Sequence, residues 1–225
     1  MFQSLVRPLK MMMPKKGYRK VLFGPAAGCV MEIDPRQRIR PYLGVHEWEL
    51  NGYFKRLVTP GSKCFDLGGN DGYDALMIAT LSRGKVASFE CDPSTAITLR
   101  QNIAQNPKLD ICVVESFVGS ESGDGKTTID EAARQMFVPD FIKIDIEGAE
   151  DAALEGASNT LTQNHPGMII EVHGLDKEQR CLAILRDYGY STSIVNQSWF
   201  MKDSARGGYN RWLVASRDPR SAAGN

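Results

Sequence analysis

Short apolar strands alternate with amphipathic helical segments along the middle of this chain, and this alternation limits the possible folds most. Runs rich in β-branched and aromatic residues predict strands at 63–67, 85–90, 111–116, 141–145 and 168–173. The segments between and after them predict helices at 73–81, 93–105, 148–164 and 177–188. Such an alternation is typical of βαβ units, whose right-handed crossovers place helices on both faces of a parallel sheet.

Further segments flank these units. Residues 190–195 and 211–216 predict a closing antiparallel hairpin, because no convincing helix separates them. Residues 47–58 predict a helix, and residues 21–33 predict a short hairpin before it. We therefore expect three parts: a basic arm at 1–20, a hairpin and helix packed on the core at 21–60, and the core domain at 61–220.

The charge balance of the chain bears on its partners. The 225 residues contain 27 Lys and Arg and 27 Asp and Glu, which gives a net charge of zero at pH 7. A protein that binds nucleic acid over a broad surface is usually basic, so we expect a small-molecule partner rather than nucleic acid. Six basic residues nevertheless concentrate in the N-terminal arm: Arg7, Lys10, Lys15, Lys16, Arg19 and Lys20.

The cysteines indicate a reducing compartment. Cys29, Cys64, Cys91, Cys112 and Cys181 are odd in number and form no Cys-x-x-Cys pair, which argues against zinc and a redox dithiol. No apolar run reaches the roughly 18 residues of a membrane span, and the start of the chain lacks the apolar core of a signal peptide. We therefore expect a cytoplasmic protein without a membrane span.

A glycine-rich loop follows the first strand of the predicted sheet. A dinucleotide fingerprint beginning at Gly68 needs glycine at positions 70 and 73, where this chain has Asn70 and Tyr73. The NAD interpretation is therefore disfavoured. The spacing fits D-x-G-x-G-x-G from Asp66 to Gly72, with Asn70 in place of the middle glycine. Such a loop turns sharply beneath a ligand with an amino-acid moiety, and asparagine tolerates the left-handed backbone that this needs.

A carboxylate ends the second strand, 18 residues after Gly72. Glu90 at this position can accept hydrogen bonds from both hydroxyls of a ribose, which would make it the nucleoside half of the same site. The alternatives are a plain strand-to-helix turn for the loop and a surface acid for Glu90. The two features together on one βαβ unit favour the binding site.

Seven segments of the chain, taken in order, resemble one enzyme family. They are residues 44–47, 60–61, 66–73, 89–90, 128–131, 142–150 and 170–173. From about residue 21 to 216 the chain resembles the FkbM family of class I S-adenosylmethionine-dependent methyltransferases. It departs from the family at Gly69, where alanine is usual, and at Cys91, where proline is usual.

The resemblance implies a fold, a cofactor and a reaction. The fold is a Rossmann-like α/β sheet of seven mostly parallel strands in the order 3-2-1-4-5-7-6, with strand 7 antiparallel. The cofactor is S-adenosylmethionine, and the reaction is methyl transfer, usually to a hydroxyl oxygen. The expected cofactor-binding residues are Glu47, Asp66, Gly68, Gly69, Asn70, Gly72, Glu90, Cys91, Asp145 and, around adenine, Ser116 and Phe117. Phe117 in the core and Glu47 as a simple helix-start acid are the alternatives.

The catalytic candidates follow the fourth and fifth strands, which should be neighbours. Lys143 and Asp145 share one strand face, as do Glu171 and His173. Methyl transfer needs the acceptor positioned and its proton removed, and His173 is our choice as base because imidazole titrates near neutrality. The alternatives are a helix-capping role for Asp145, a Lys143–Glu171 ion pair without chemistry, and His173 as a bystander.

A metal site is the competing mechanism at these residues. Catechol O-methyltransferase, a fold relative, places acidic metal ligands at the ends of the same two strands, where Asp145, Glu171 and His173 lie here. Lys143 would compete for the carboxylates and repel a cation, so we expect no metal and direct base catalysis. The acceptor should be a hydroxylated metabolite or sugar. The alternative function is a catalytically weak adaptor that uses the basic arm.

Overall fold

The computed structural model describes residues 13–198 and 210–223, so Arg7 and Lys10 of the predicted arm lie outside the described residues. The chain begins with two antiparallel strands, β1 (Gly17–Lys20) and β2 (Val30–Ile33). The predicted hairpin is therefore present, but its first strand is the end of the predicted arm. The reason is that Val21 and Cys29 close the connecting loop with a backbone hydrogen bond of 2.9 Å, so that residues 21–29 form the turn.

The central sheet has the predicted topology. The strands that follow are β3 (Cys64–Leu67), β4 (Val86–Phe89), β5 (Ile111–Val114), β6 (Phe117–Val118), β7 (Lys126–Thr127), β8 (Phe141–Ile144), β9 (Gly167–His173), β10 (Ser191–Asn196) and β11 (Asn210–Ser216). Seven of them form one sheet in the order β10-β11-β9-β8-β3-β4-β5. Strand β11 is antiparallel to both of its neighbours, and the other pairs are parallel. The expected order 3-2-1-4-5-7-6 is confirmed.

Local signals in the sequence start several of the helices. The α-helices are α1 (Ile39–Leu43), α2 (Asn51–Leu57), α3 (Tyr73–Ser82), α4 (Pro93–Ala104), α5 (Ile129–Gln135), α6 (Glu150–Glu155), α7 (Ser158–Gln163), α8 (Leu175–Asp187) and α9 (Pro219–Ala222), with a 3₁₀ turn at Trp48–Leu50. Asp92 caps α4 by accepting a 2.7 Å hydrogen bond from the Thr95 nitrogen. Within the described ranges, no helix is long and apolar enough to cross a bilayer.

The single helix predicted over 148–164 is wrong, because two short helices, α6 and α7, stand there. The chain bends at Gly156, where a Cβ atom would lie only 2.2 Å from the carbonyl oxygen of Gly119. Asp130 then supplies the start of α7, since its carboxylate accepts 2.8 Å hydrogen bonds from the nitrogens of Asn159 and Thr160. A side chain distant in sequence therefore sets this helix boundary.

Two apolar clusters cover the two faces of the sheet. Because side chains alternate along a strand, Ile142 and Ile144 of β8 enter one cluster and Phe141 enters the other. Lys143 shares the face of Phe141, on which Phe54 of α2 packs. The carboxyl ends of the parallel strands meet at one edge, and the polar residues that follow them gather there.

Candidate active site

The turn after β3 is built around glycine. Gly68 has a φ of +91°, and a Cβ atom there would lie 1.8 Å from the carbonyl oxygen of Asp145. A Cβ atom on Gly69 would lie 2.4 Å from Ser88 Oγ. Asn70 adopts a left-handed φ of +45°, which asparagine tolerates better than most residues. The loop is thereby pressed against the ends of the two neighbouring strands.

Glu90 ties this loop to the end of β4. Its Oε2 accepts a 2.9 Å hydrogen bond from the Asn70 nitrogen, and its Oε1 accepts a 2.9 Å hydrogen bond from the Asp92 nitrogen. Each carboxylate oxygen has a second lone pair, so Glu90 can still accept hydrogen bonds from a ligand.

A cavity of about 330 Å³ lies above the loop. Seven of the residues predicted to bind the cofactor line it: Gly68, Asn70, Glu90, Cys91, Ser116, Phe117 and Asp145. Thr95, Ile146 and Glu147 also line it and were not predicted. Phe117 is 38% exposed, so its ring forms part of the wall and not of the core.

Four predicted cofactor residues do not line this cavity. Asp66 is buried beneath the loop, where it accepts a 2.7 Å hydrogen bond from Ser88 Oγ, and burial raises the pKa of its carboxyl to about 7. Gly69 and Gly72 allow the turn to approach Leu99 of α4. These three residues support the loop from below, and Glu47 lies with a separate group of charges.

That group surrounds Lys143, whose side chain is completely buried. Its Nζ lies 3.6 Å from Asp74 Oδ2, 3.8 Å from Asp145 Oδ2 and 4.0 Å from Glu47 Oε2. Burial opposes the charged ammonium, but the carboxylates outweigh it and raise the pKa of Lys143. Burial also raises the pKa of Glu47 well above its usual range and the pKa of Asp145 to about 6. A single cation is thus shared among several carboxyl groups.

His173 stands next to Asp145 at the end of β9. Its Nδ1 lies 2.7 Å from Glu150 Oε1, and its Nε2 lies 3.7 Å from Asp145 Oδ1 and 3.8 Å from Glu171 Oε1. Glu171 is itself held by Trp212, whose indole nitrogen donates a 3.2 Å hydrogen bond to Oε2. The hydrogen bond with Glu150 raises the pKa of His173, against the opposing effect of burial. All four predicted catalytic residues are therefore adjacent.

The same side chains could approach a single metal ion. One ligand atom each of Asp145, Glu171 and His173 can be chosen so that all three lie within 4.8 Å of one another. The Lys143 ammonium, 3.8 Å from Asp145, already supplies positive charge at this place. Asp145 both lines the cavity and belongs to this cluster, so it connects the two halves of the site.

Sequence reasoning missed two carboxyl groups of the cluster. Asp74 follows the glycine loop in the first turn of α3, and its approach to Lys143 depends on how α3 crosses β8. Glu150 was not among the catalytic candidates, whereas its carboxylate contacts His173. The Glu-Gly-x-Glu spacing of 147–150 was the available signal, since it marks a tight turn that ends in an acid.

Comparison with known protein families matches one segment of this chain. Residues 114–192 match the model of the methyltransferase FkbM domain. The predicted resemblance to this family is confirmed. The matched FkbM residues include Asp145, Glu150, Glu171 and His173, and they exclude the glycine loop and Glu90. The chain is accordingly a methyltransferase with S-adenosylmethionine as its cofactor. A comparison with curated protein sequences finds no match.

Solved structures similar to this chain share its fold at low sequence identity. Precorrin-6y C5,15-methyltransferase from Geobacter metallireducens has a TM-score of 0.53 and 14% identity, over 73% of this chain and 84% of that one. An rRNA methylase from Streptococcus thermophilus has a TM-score of 0.54 and 11% identity, over 73% of this chain and 91% of that one. Fibrillarin from Aeropyrum pernix, with natively bound S-adenosylmethionine, has a TM-score of 0.52 and 15% identity, over 71% and 68%. These likenesses show the class I methyltransferase fold.

Proposed function

We propose that this protein transfers the methyl group of S-adenosylmethionine to a hydroxyl oxygen of a small metabolite or sugar. The observation that carries the proposal is the position of Asp145, which lines the cavity and lies 3.7 Å from His173 Nε2. A base next to a residue in the wall of a nucleoside-sized cavity supports transfer to a hydroxyl group, which requires a positioned acceptor and removal of its proton.

The residues of the cavity fit the cofactor. Gly68 lines the cavity with main-chain atoms alone, which an amino-acid moiety can approach, and the Glu90 carboxylate can accept hydrogen bonds from the two ribose hydroxyls. Ser116 and the Phe117 ring form the wall where adenine would lie, with Cys91 beside them. Asp66, Gly69 and Gly72 act from beneath the loop in this arrangement, and Glu47 acts through Lys143.

The catalytic residues remove the proton of the acceptor hydroxyl group. When bound, S-adenosylmethionine supplies an electrophilic methyl carbon and a neutral thioether leaving group. His173 Nε2 takes the proton of the acceptor hydroxyl as its oxygen bonds to the methyl carbon. The carboxylates of Asp145 and Glu171 stabilise the imidazolium that forms. Lys143 keeps Asp145 ionised and in place.

A direct assay tests this function. The full chain would be incubated with S-adenosylmethionine and a panel of hydroxylated small molecules, with S-adenosylhomocysteine release as the readout. Mass spectrometry and NMR of the product would then locate the new methyl group. We expect an O-methyl product, and a methyl group found only on nitrogen or only on RNA would contradict the proposed acceptor. Calorimetry that detects NAD binding but no S-adenosylmethionine binding would contradict the assignment of the cavity.

A further inference from the structure

We propose that Glu150 is a positioning residue that fixes the ring orientation and proton placement of His173. The inference rests on the proposed function, in which His173 Nε2 is the base. Glu150 begins α6, and its side chain is completely buried. Its role is therefore not that of a solvated acid at a helix start.

The hydrogen bonds of Glu150 determine which ring nitrogen carries the proton. Glu150 Oε1 accepts a 2.8 Å hydrogen bond from the Gly148 nitrogen and lies 2.7 Å from His173 Nδ1. Because Oε1 already acts as an acceptor for the Gly148 nitrogen and has a second lone pair, we infer that Nδ1 is the donor in this contact. In the neutral ring the lone pair is consequently on Nε2, the nitrogen on the side of Asp145.

The other ring nitrogen makes no hydrogen bond within the described chain. Nε2 is a buried atom without a hydrogen-bond partner in the part of the chain that the structure describes. The Asp145 and Glu171 oxygens lie 3.7 and 3.8 Å away, beyond hydrogen-bond distance but near enough to stabilise an imidazolium. The ring is thus anchored at Nδ1, while the lone pair on Nε2 is not engaged by a hydrogen bond within the described chain.

One tight turn supplies the carboxylates on both sides of the ring. Asp145 directly follows β8, and Glu150 is the first residue of α6. Between them, Glu147 and Gly148 have φ values of +43° and +100°. Such a left-handed backbone at a non-glycine residue is costly and is concentrated at functional sites. Glu150 Oε2 is also buried without a hydrogen-bond partner in the described chain. Burial of an unsatisfied oxygen lowers the stability of the fold, as the left-handed backbone does.

The test measures the His173 ring directly, without cofactor or acceptor. The chain contains three histidines, so the ¹⁵N-histidine spectrum of the full chain is simple, and a His173→Gln variant assigns the His173 signals. We expect neutral His173 to carry its proton on Nδ1. Glu150→Gln should retain this tautomer, because the amide oxygen still accepts, but it should lower the pKa of His173. Glu150→Leu should lose both the preference for the proton on Nδ1 and the raised pKa of His173. The control Glu155→Gln, at an exposed position of the same helix, should keep both.

Two results would overturn the proposal. One is a neutral wild-type His173 with its proton on Nε2, a measurement that needs no variant to fold. The other is a His173 pKa that Glu150→Gln leaves unchanged in a folded protein.

With an accepted substrate, Glu150→Gln should move the acidic limb of the pH profile of kcat to lower pH and reduce kcat at least about tenfold. The KM for the cofactor should stay within about twofold, since binding does not involve the base. Failure of cofactor binding or methyl transfer would instead reject the proposed function and leave the ring measurements valid.

Discussion

The carboxylate of Glu90 accepts a 2.9 Å hydrogen bond from the backbone nitrogen of Asn70, so the acid after β4 also holds the loop after β3. We expect Glu90→Ala to weaken S-adenosylmethionine binding by about 1–3 kcal/mol, through loss of charge-assisted hydrogen bonds to ribose and release of the loop. Isothermal titration calorimetry measures this change. Glu155→Ala, an exposed acid on α6, serves as the control and should bind normally. Equal affinities for both variants would mean that the cofactor lies elsewhere.

A matched pair of variants can separate two effects of an added Cβ atom at Gly68: its collision with the Asp145 carbonyl and the strain of a side chain at positive φ. Gly68 and Gly61 have φ values of +91° and +92°, but a Cβ atom meets the Asp145 carbonyl only at Gly68 and nothing within 4 Å at Gly61. Gly68→Ala should therefore lower the free energy of unfolding by about 1–3 kcal/mol more than Gly61→Ala. It should also weaken cofactor binding, which Gly61→Ala should not. Chemical denaturation and calorimetry measure the two effects, and equal losses of stability would show that the contact is unimportant.

The buried ammonium of Lys143 neutralises carboxyl groups that otherwise repel one another. Lys143→Met should destabilise the fold at pH 8 by about 3–5 kcal/mol, because it leaves Asp74, Asp145 and Glu47 without their shared cation. The loss should be smaller at pH 5, where Asp145, with its pKa raised to about 6, takes up a proton. Urea denaturation at the two pH values tests this. A loss that grows on acidification would show that Lys143 has a different role.

Asp66 gives the stability of the wild-type protein a pH dependence of defined sign. Burial raises the pKa of its carboxyl from 3.8 to about 7, so the folded state binds the proton more tightly than the unfolded state. The contribution of Asp66 to the free energy of unfolding is therefore greatest below pH 4 and falls as the pH rises toward 7. Asp66→Asn should flatten this slope, as followed by urea denaturation between pH 4 and 8. An unchanged slope would show that Asp66 is ionised throughout.

The choice between base and metal catalysis can be made by chelation. We expect full activity on an accepted substrate after exhaustive treatment with a chelator, because Lys143 already occupies the carboxylates with positive charge. His173→Ala should then reduce kcat by about 10²–10⁴-fold, and His165→Gln, outside the cluster, should not. Activity that returns only with added magnesium or manganese would reject the base mechanism. A loss below about tenfold in His173→Ala would remove His173 from that role.

Much of the fold and part of the site could be predicted because their signals are local. Strand periodicity predicted a parallel sheet, and the family resemblance implied its strand order. The glycine loop and Glu90 were singled out by their spacing within one βαβ unit. The break at Gly156 could not be predicted, since it depends on the packing of Gly119 and on the Asp130 carboxylate. Asp74 and the His173 contact of Glu150 were missed for the same reason, although the Glu-Gly-x-Glu spacing marked the position of Glu150. Their roles arise only when separate strands and helices meet.

The position of β11 has a consequence for how the protein is made. Strand β10 precedes β11 in the chain but reaches the sheet only by pairing with it, and β11 also carries the Trp212 that holds Glu171. All the residues that line the cavity precede β11 and are synthesised before it, whereas Glu171 gains its Trp212 partner only once β11 is made. A nascent chain halted before β11 would lack the strand that pairs with the β9 edge and the Trp212 contact of the catalytic cluster. Completion of the active site is thus linked to translation of the final strand.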